Sequence, residues 1–408
     1  MTHTLISFLG RGNTDRGKRY QTATYQFDTG EQRTTEFFGL GLTQQIKPDR
    51  LLILGTTGSM WDVLLFSLGL GEKHDNALLA LTESADANRA TQAQLNQLTT
   101  DVSDRLGLPV ALRLIDYGRN TEEQVGILQK MALDIAEGDR VTLDVTHGLR
   151  HLPMLAQMSA LYLRRVKNVE VLGLYYGALD MRQDGITPVM NLRGLLDIAD
   201  WTGAVQSFDK DGDYGVFALI IEEQFLNAAS LLKKSAFYER TMRPGQARSQ
   251  LRDLVKILEE QPLSGVGSLF APTLQNRLAW HLEDRLYLRQ QALARLYLTH
   301  GDFLRAALLG FEAFITRLIY QHGMSNPDNR TQREEVKTQY ETQNKGIYPR
   351  RPEYENYCLL RDLRNHLAHG NASPQAEIQK ALSSFEALYA FLDALLNNLL
   401  PSGGALNT

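Results

Sequence analysis

Residues 141–150 read Val-Thr-Leu-Asp-Val-Thr-His-Gly-Leu-Arg, and the fold that we expect for the first half of the chain can be inferred from them. Its first five residues are mostly apolar or β-branched, and a Thr, a His and a Gly follow them. A short β-rich run that ends at turn-forming residues predicts a buried strand leading into a loop. Similar β-rich runs occur at residues 5–9, 51–54, 110–115 and 169–175.

Amphipathic stretches alternate with these predicted strands, at residues 35–46, 61–70, 122–136 and 154–166. The alternation predicts an α/β domain that has a mainly parallel sheet with helices on both faces. One segment is open to a second interpretation. Residues 20–27 and 32–38 flank an Asp-Thr-Gly turn, which is also compatible with a β-hairpin.

The second half of the chain has a different pattern, because β-rich runs nearly vanish from about residue 201 onward. Apolar residues with helical spacing instead predict an all-α region. We expect helices at residues 217–234, 248–260, 279–299, 303–320 and 375–399. Residues 262–272 and 325–329 have the composition of loops, and residues 401–408 that of a frayed tail.

The composition limits the classes of protein that the chain can belong to. Its 408 residues suggest two or three domains, and 43% hydrophobic with 22% charged residues is typical of a folded globular protein. The formal net charge of −4 gives no global attraction to nucleic acid, so any RNA contact must depend on local basic groups. A single cysteine, Cys358, excludes internal disulfides and cysteine zinc sites. We expect a cytoplasmic protein with neither a signal peptide nor a membrane span.

Three predicted strands lead into loops that are rich in glycine and hydroxyl groups. In a parallel sheet these loops share the carboxyl edge, where open α/β folds bind ligands. Small residues allow the backbone to approach a ligand closely, and amides at helix N-termini can bind phosphate. The predicted ligand-binding residues are Gly10, Arg11, Gly12, Asn13, Thr56, Thr57, Gly58, Ser59, Thr146, His147, Gly148 and Arg150.

Each of these loops, taken singly, is equally compatible with an ordinary strand-to-helix turn. Three of them on one edge favour a nucleotide-type ligand. A phosphate-binding P-loop is excluded, since neither glycine-rich loop has the Gly-x-x-x-x-Gly-Lys-Ser/Thr pattern. The dinucleotide fingerprint is also incomplete, which leaves a nicotinamide enzyme as a weak alternative.

A second candidate site lies near the C-terminus, where residues 364–369 read Arg-Asn-His-Leu-Ala-His. Leu360, Leu363 and Leu367 form one apolar helical stripe, which predicts a helix that stops at Gly370. Arg364 can stabilise charge on a phosphate, and His369 can move a proton at neutral pH. By spacing alone, a solvated helix surface remains the commoner explanation of such a pair.

These two sets of residues resemble a known family. The Arg-x-x-x-x-His motif at 364–369 resembles that of HEPN ribonucleases. The strings at 55–59 and 144–150 resemble the ligand loops of CARF domains. The order of the two resembles the accessory CARF–HEPN ribonucleases of type III CRISPR systems, the Csx/Csm group. The resemblance implies a Rossmann-like CARF domain at residues 1–200, a helical connector or HEPN extension at 201–300, and a HEPN domain at 301–400.

The resemblance also implies a mechanism and partners. A cyclic oligoadenylate made by the type III effector complex, with cyclic tetra-adenylate the expected ring, would bind between two CARF domains of a homodimer. The paired HEPN domains would then cut single-stranded RNA without a metal or other cofactor. Arg364, Asn365 and His369 match the catalytic residues of the motif. Glu312 resembles an acidic residue of the first HEPN helix, although a surface glutamate is the simpler explanation.

Two other functions remain open at this stage. The chain could be a nucleotide-sensing regulator or binding module without nuclease activity. Alternatively, its CARF domain could itself degrade the cyclic ligand as a ring nuclease. Ligand binding without RNA cleavage would favour the first, and linear products of the ligand the second.

Overall fold

The computed structural model describes residues 1–11, 22–70, 75–222, 225–324, 326–370 and 375–401. The chain divides into two compact units, Met1–Ala199 and Asp200–Thr408. Among the described residues, no helix is both long enough and apolar enough to cross a membrane.

The first unit is built on a sheet that has eight strands within the described residues. Its strands are β1 (His3–Leu9), β2 (Ala23–Gln26), β3 (Gln32–Thr35), β4 (Arg50–Gly55), β5 (Val110–Leu114), β6 (Arg140–Asp144), β7 (Glu170–Gly177) and β8 (Ile186–Asn191). The order across the sheet is β3-β2-β8-β7-β6-β1-β4-β5. Strands β7, β6, β1, β4 and β5 are parallel neighbours, which confirms the predicted mainly parallel sheet.

Of the two interpretations of residues 20–38, the hairpin is the one present, because β2 and β3 pair in antiparallel register. The helix predicted from residue 35 therefore begins only at Phe38, after β3 has ended. Strand β8, which pairs antiparallel with β7, was not predicted. Its first four residues are buried or partly buried, its last two are exposed, and one of the six is a proline, so the strand lacks the apolar run of the central strands.

Six helices lie within this unit and a seventh crosses its boundary, as far as the chain is described. They are α1 (Phe38–Ile46), α2 (Trp61–Ser67), α3 (Asp75–Asp86), α4 (Gln92–Leu106), α5 (Thr121–Ala132), α6 (Leu152–Val166) and α7 (Arg193–Asp211). Helices α3, α4 and α7 were not predicted, although Thr91 and Gln94 form a capping box that marks the start of α4.

Both faces of the sheet are covered by apolar packing. Along β1, Leu5 and Leu9 belong to one hydrophobic cluster, whereas Ile6 and Phe8 belong to another. Successive side chains of a strand point to opposite faces, so the two clusters are the two sides of the sheet. This explains why β1 is buried along its whole length and reads as a nearly continuous apolar run.

The second unit is helical throughout its described residues, which confirms the predicted all-α half. Its further helices are α8 (Ala218–Ile221), α9 (Leu226–Arg240), α10 (Pro244–Glu260), α11 (Val266–Leu278), α12 (Leu286–Thr299), α13 (Phe303–Gln321), α14 (Arg330–Asn344), α15 (Pro352–His369), α16 (Ala376–Ala381) and α17 (Phe385–Leu399). Short 3₁₀ turns at Tyr214–Phe217 and Ala279–Leu282 precede α8 and α12.

The loop predicted at residues 262–272 was wrong, since most of it belongs to α11. Pro272 lies inside this helix, where the lost amide hydrogen bond costs about 3 kcal/mol. Leu274 and Leu278 are buried on the same helix, and their burial offsets that cost. The glycine and proline content of the segment therefore misled the prediction.

Three helices predicted as continuous are interrupted. The segment 217–234 changes from a 3₁₀ turn and α8 to a separate α9, and 279–299 changes from a 3₁₀ turn to α12. In 375–399, Ser384 adopts an extended backbone, and its side chain accepts a hydrogen bond from the amide of Ala387, which starts α17. Residue 325, part of a predicted loop, and residues 402–408 of the predicted tail lie outside the described residues.

One hydrophobic core extends through the second unit. It includes Trp201 and Leu251 from the segment 201–300, together with Leu363 and Leu395 from the last helices. Leu360 and Leu363 are fully buried, as the apolar stripe of the predicted helix requires.

Candidate functional site

The loops after β1 and β4 meet at the carboxyl edge of the sheet. The Ser59 hydroxyl donates to the carbonyl of Leu9 at 2.6 Å, and the Met60 amide donates to the carbonyl of Gly10 at 3.0 Å. The amide of Thr56 in turn donates to the Ser59 hydroxyl at 2.8 Å. Since Thr56 and Ser59 are both buried, their polar groups join the two loops to each other.

The loop after β6 packs against the same place through two glycines. A Cβ atom at Gly10 would lie 2.5 Å from the amide nitrogen of Gly148, so only glycine permits this approach. Gly148 also has a φ of +111°, which other residues rarely adopt. All three predicted loops therefore lie together on one edge.

The exposed parts of this edge carry the groups that a ligand could reach. Arg11, Gly148 and Arg150 are exposed, and Thr57 and Thr146 are partly buried. The Thr146 hydroxyl accepts a hydrogen bond from the Gly177 amide at 2.8 Å. Two further predicted ligand residues, Gly12 and Asn13, lie outside the described residues.

The buried carboxylate of Asp144 holds the loop after β6 in place through hydrogen bonds. Asp144 accepts hydrogen bonds from the Ser7 hydroxyl at 2.6 Å and from the Thr146 amide at 2.8 Å. Burial raises the pKa of Asp144 to about 6, although the hydrogen bonds from Ser7 and Thr146 act in the opposite direction. Gly39 of α1 packs directly on Ser7, where a Cβ atom would lie 2.3 Å from the hydroxyl oxygen.

His147 is buried beside α1, whereas we predicted it among the ligand-binding residues. Its Nε2 atom accepts a hydrogen bond from the Phe38 amide at 3.3 Å, and its ring lies 5.0 Å from that of Phe37. Burial lowers the pKa of His147 to about 4, so the imidazole is neutral and can act as an acceptor. The ring thus satisfies one of the unpaired amides at the start of α1.

Several residues at this edge were missed by the sequence prediction. The Thr57 hydroxyl lies 3.2 Å from that of Tyr117, and the latter donates to Asn88 Oδ1 at 3.3 Å. His151 Nε2 lies 2.7 Å from the carbonyl oxygen of Tyr117. Tyr117 follows β5, so the rule that located the other loops would also have indicated this one.

The second predicted site lies in the last turns of α15. This helix has a proline in its first turn and ends at Gly370, which has a φ of 65° and caps it as predicted. Asn365 and His369 are exposed, as their helical phase requires.

Arg364 is partly buried, and its side chain packs against α13. Its guanidinium lies over the buried ring of Phe311 in α13, with 4.3 Å between the central carbon and the ring centroid. Its Nε and Nη2 atoms donate to Asn365 Oδ1 at 3.2 and 2.8 Å. Two neighbours therefore fix the plane of the guanidinium.

The other polar residues near this motif have partners of their own. Arg361 is paired with Glu341 at 3.3 Å and with Asp362 at 2.9 Å. Hydrogen bonding to Asp362 is the main reason why the pKa of Arg361 is raised above its ordinary value. Glu312, the residue that matched an acidic position of the family, is paired with Arg333 of α14.

Among the described residues, no three His, Cys, Asp or Glu side chains come together as a metal site would require.

Residues 4–180 match the family model described as the CARF domain of the CRISPR system endoribonuclease Csx1. The first unit thus contains a CARF domain, as the resemblance of its loops had implied.

Two known proteins illustrate the similarity. The chain is 26% identical over 291 residues to CRISPR-associated protein MJ1674 of Methanocaldococcus jannaschii, and this covers 65% of the chain. Because the match covers 45% of that relative, the chain spans less than half of its length. Among solved structures, Enterococcus italicus Csm6 bound to cyclic hexa-2'-fluoro-hexa-dAMP covers 98% of this chain, and the match covers 94% of that chain, with 12% identity and a TM-score of 0.39.

Proposed function

We propose that this protein is a metal-independent endoribonuclease that cuts single-stranded RNA in type III CRISPR antiviral defence, and that a cyclic oligoadenylate activates it. The observation that carries the proposal is the orientation of Arg364. Its guanidinium is fixed between Phe311 and Asn365, and an exposed histidine, His369, follows five residues later on the same helix.

The chemistry requires a phosphate-binding cation and a group that moves protons. The 2′-hydroxyl of the RNA attacks the neighbouring phosphorus, the bond to the 5′-oxygen breaks, and a 2′,3′-cyclic phosphate forms. The proton of the 2′-hydroxyl passes to a neutral imidazole, and the departing 5′-oxygen takes a proton from an imidazolium. Arg364 stabilises the charge that develops on the phosphate oxygens.

In this proposal, two subunits together provide one neutral and one protonated His369 side chain. One chain contributes one Arg364 and one His369, so a homodimer brings together two of each around a two-fold axis. The His369 side chain of one subunit then acts as the base, and that of the other acts as the acid. Exposure of Asn365 and His369 at the end of α15 supports such an arrangement.

The activator binds at the carboxyl edge of the CARF sheet. Arg11 and Arg150 are exposed there, and both can attract the phosphates of a cyclic oligoadenylate. Backbone amides around Gly148 add further donors for the same phosphates. Binding shifts the equilibrium between inactive and active arrangements of the helical units. Cyclic tetra-adenylate, supplied by the type III effector complex, is the activator that we propose.

Cleavage of a labelled single-stranded RNA, measured with a panel of cyclic oligoadenylates of different ring size, tests this function. We expect RNA cleavage with at least one of the cyclic oligoadenylates, and we expect it to persist in the presence of EDTA. The Arg364→Ala variant should cleave at least about a hundredfold more slowly. The 2′,3′-cyclic phosphate should be found on the product. Absence of cutting with every ring, or wild-type cutting by Arg364→Ala, would contradict the proposal. Loss of cutting in EDTA would contradict the metal-free mechanism.

A further inference from the structure

Four residues form a polar and aromatic cluster beside the loop after β4. Asn88 comes from the connection between α3 and α4, and Tyr117 and Arg119 come from the connection between β5 and α5. Thr57 of the β4 loop joins them through its contact with the Tyr117 hydroxyl. Asn88 and Arg119 are exposed, whereas Thr57 and Tyr117 are partly buried.

The amide of Asn88 has a defined position in this cluster. Asn88 has a φ of 54°, a left-handed conformation that asparagine adopts more readily than most residues. Its Oδ1 atom lies so close to Gly58 that a Cβ atom there would be 2.1 Å away. Because Gly58 has no Cβ atom, the Asn88 amide can pack directly against the loop after β4. This explains the glycine at position 58.

In the structure the Asn88 amide has its oxygen turned toward the Tyr117 hydroxyl. The hydroxyl donates to Asn88 Oδ1 at 3.3 Å, so the oxygen keeps one lone pair and the NH2 group keeps its donors. An acceptor beside a donor is the pattern that asparagine uses to bind adenine, through its 6-amino group and the adjoining ring nitrogen. Guanine and hypoxanthine carry an oxygen at position 6 and do not match this orientation.

Tyr117 and Arg119 form a flat surface next to this amide. The Arg119 guanidinium carbon lies 4.7 Å from the centroid of the Tyr117 ring. Nucleobases stack on aromatic rings and on guanidinium planes. The same guanidinium brings a positive charge to the edge where the phosphates of the ligand would lie.

We propose that Asn88, Tyr117 and Arg119 form an adenine-binding subsite at the carboxyl edge of the CARF sheet. In this subsite the Asn88 amide selects the base, and Tyr117 with Arg119 provides the stacking surface. The inference rests on the proposed function, because it assigns residues to the recognition of the same cyclic oligoadenylate. It extends that function by naming what distinguishes adenine from other purines.

Calorimetric binding of cyclic tetra-adenylate and cyclic tetra-inosinate to the full-length protein tests the subsite. We expect the wild type to prefer the adenine ring by about tenfold or more. Asn88→Ala should bind the adenine ring about tenfold more weakly and should bind both rings equally. Tyr117→Phe keeps the aromatic side chain but removes the hydroxyl that bonds to the Asn88 amide. This variant should still bind cyclic tetra-adenylate, with a smaller preference for it over cyclic tetra-inosinate.

The matched control is Asn168→Ala, because Asn168 is also exposed and left-handed, with a φ of 51°, but precedes β7 at the opposite edge of the sheet. It should bind both rings as the wild type does. A ring preference that is unchanged in both Asn88→Ala and Tyr117→Phe would overturn the subsite alone. Failure of the wild type to bind cyclic tetra-adenylate or cyclic hexa-adenylate would instead overturn the proposed function.

Discussion

Arg364 acquires its orientation from one neighbour in its own helix and one in another. Asn365 could be predicted as a partner, since it follows Arg364 directly and its carbonyl oxygen is an ordinary acceptor for a guanidinium. Phe311 could not be predicted, because it lies 53 residues earlier in the chain, by 364 − 311, and meets Arg364 only when α13 packs on α15. Contacts between helices of this kind depend on tertiary packing, which spacing along one helix does not reveal.

This contact leads to a prediction about Phe311. A cation over an aromatic ring in a partly buried place contributes about 1–2 kcal/mol. Phe311→Leu should therefore lower the rate of RNA cleavage by roughly tenfold at saturating activator. Single-turnover cleavage measures this rate directly.

Phe311→Tyr is the matched control, since it keeps the aromatic ring and should keep most of the activity. Thermal unfolding of both variants shows whether the helical unit remains folded. A Leu variant that folds and cleaves at the wild-type rate would show that the ring does not position the arginine.

Packing between elements also explains which helices and strands were predicted correctly. The central strands have uninterrupted apolar runs because both of their faces are covered, and this pattern is strong in the sequence. Strand β8 and helix α11 were missed for the opposite reason. Strand β8 is partly exposed, and α11 contains a proline whose cost is offset by burial.

The helices α9 and α12 are joined by a buried carboxyl that sequence alone did not indicate. Tyr297 donates to Glu239 Oε1 at 2.8 Å, while Glu239 Oε2 has no hydrogen-bond partner among the described residues. Burial raises the pKa of Glu239 to about 7, against the opposing effect of the hydrogen bond from Tyr297. The folded protein therefore binds a proton here more tightly than the unfolded chain does.

This difference predicts how stability changes with pH. The stabilising contribution of the protonated Glu239 is fully present below about pH 4.5 and is lost as the pH rises through about 7. A shift of this size corresponds to about 3 kcal/mol in the free energy of unfolding. Glu239→Gln keeps an acceptor for Tyr297 and cannot ionise, so it should remove this part of the pH dependence.

Urea unfolding of the helical unit at several values between pH 5 and pH 8 measures the effect. Glu260→Gln serves as the control, because Glu260 is an exposed carboxylate at the end of α10. The Glu239 variant should lose less stability than the wild type between pH 5 and pH 8, and the Glu260 variant should follow the wild type. Equal pH dependence in all three proteins would show that Glu239 is not the responsible group.

At the scale of the whole molecule, the order of an α/β region followed by an all-α region was predicted correctly from the two hydrophobic periodicities. The match of the first unit to the CARF domain model confirms the domain that its glycine-rich and threonine-rich loops resembled. The base-binding residues escaped prediction because Asn88 and Tyr117 belong to separate connections that only the sheet brings together.

In the proposed function, one end of the chain senses a ligand and the other end cuts RNA. The most direct measurement is made on His369→Ala, with cyclic tetra-adenylate binding and RNA cleavage determined in the same sample. The proposed function predicts wild-type ligand affinity together with a loss of cleavage of at least about a hundredfold. His322→Ala removes an exposed histidine that follows α13, and it should leave both properties unchanged. Wild-type cleavage by the His369 variant with its ligand bound would contradict the proposed function.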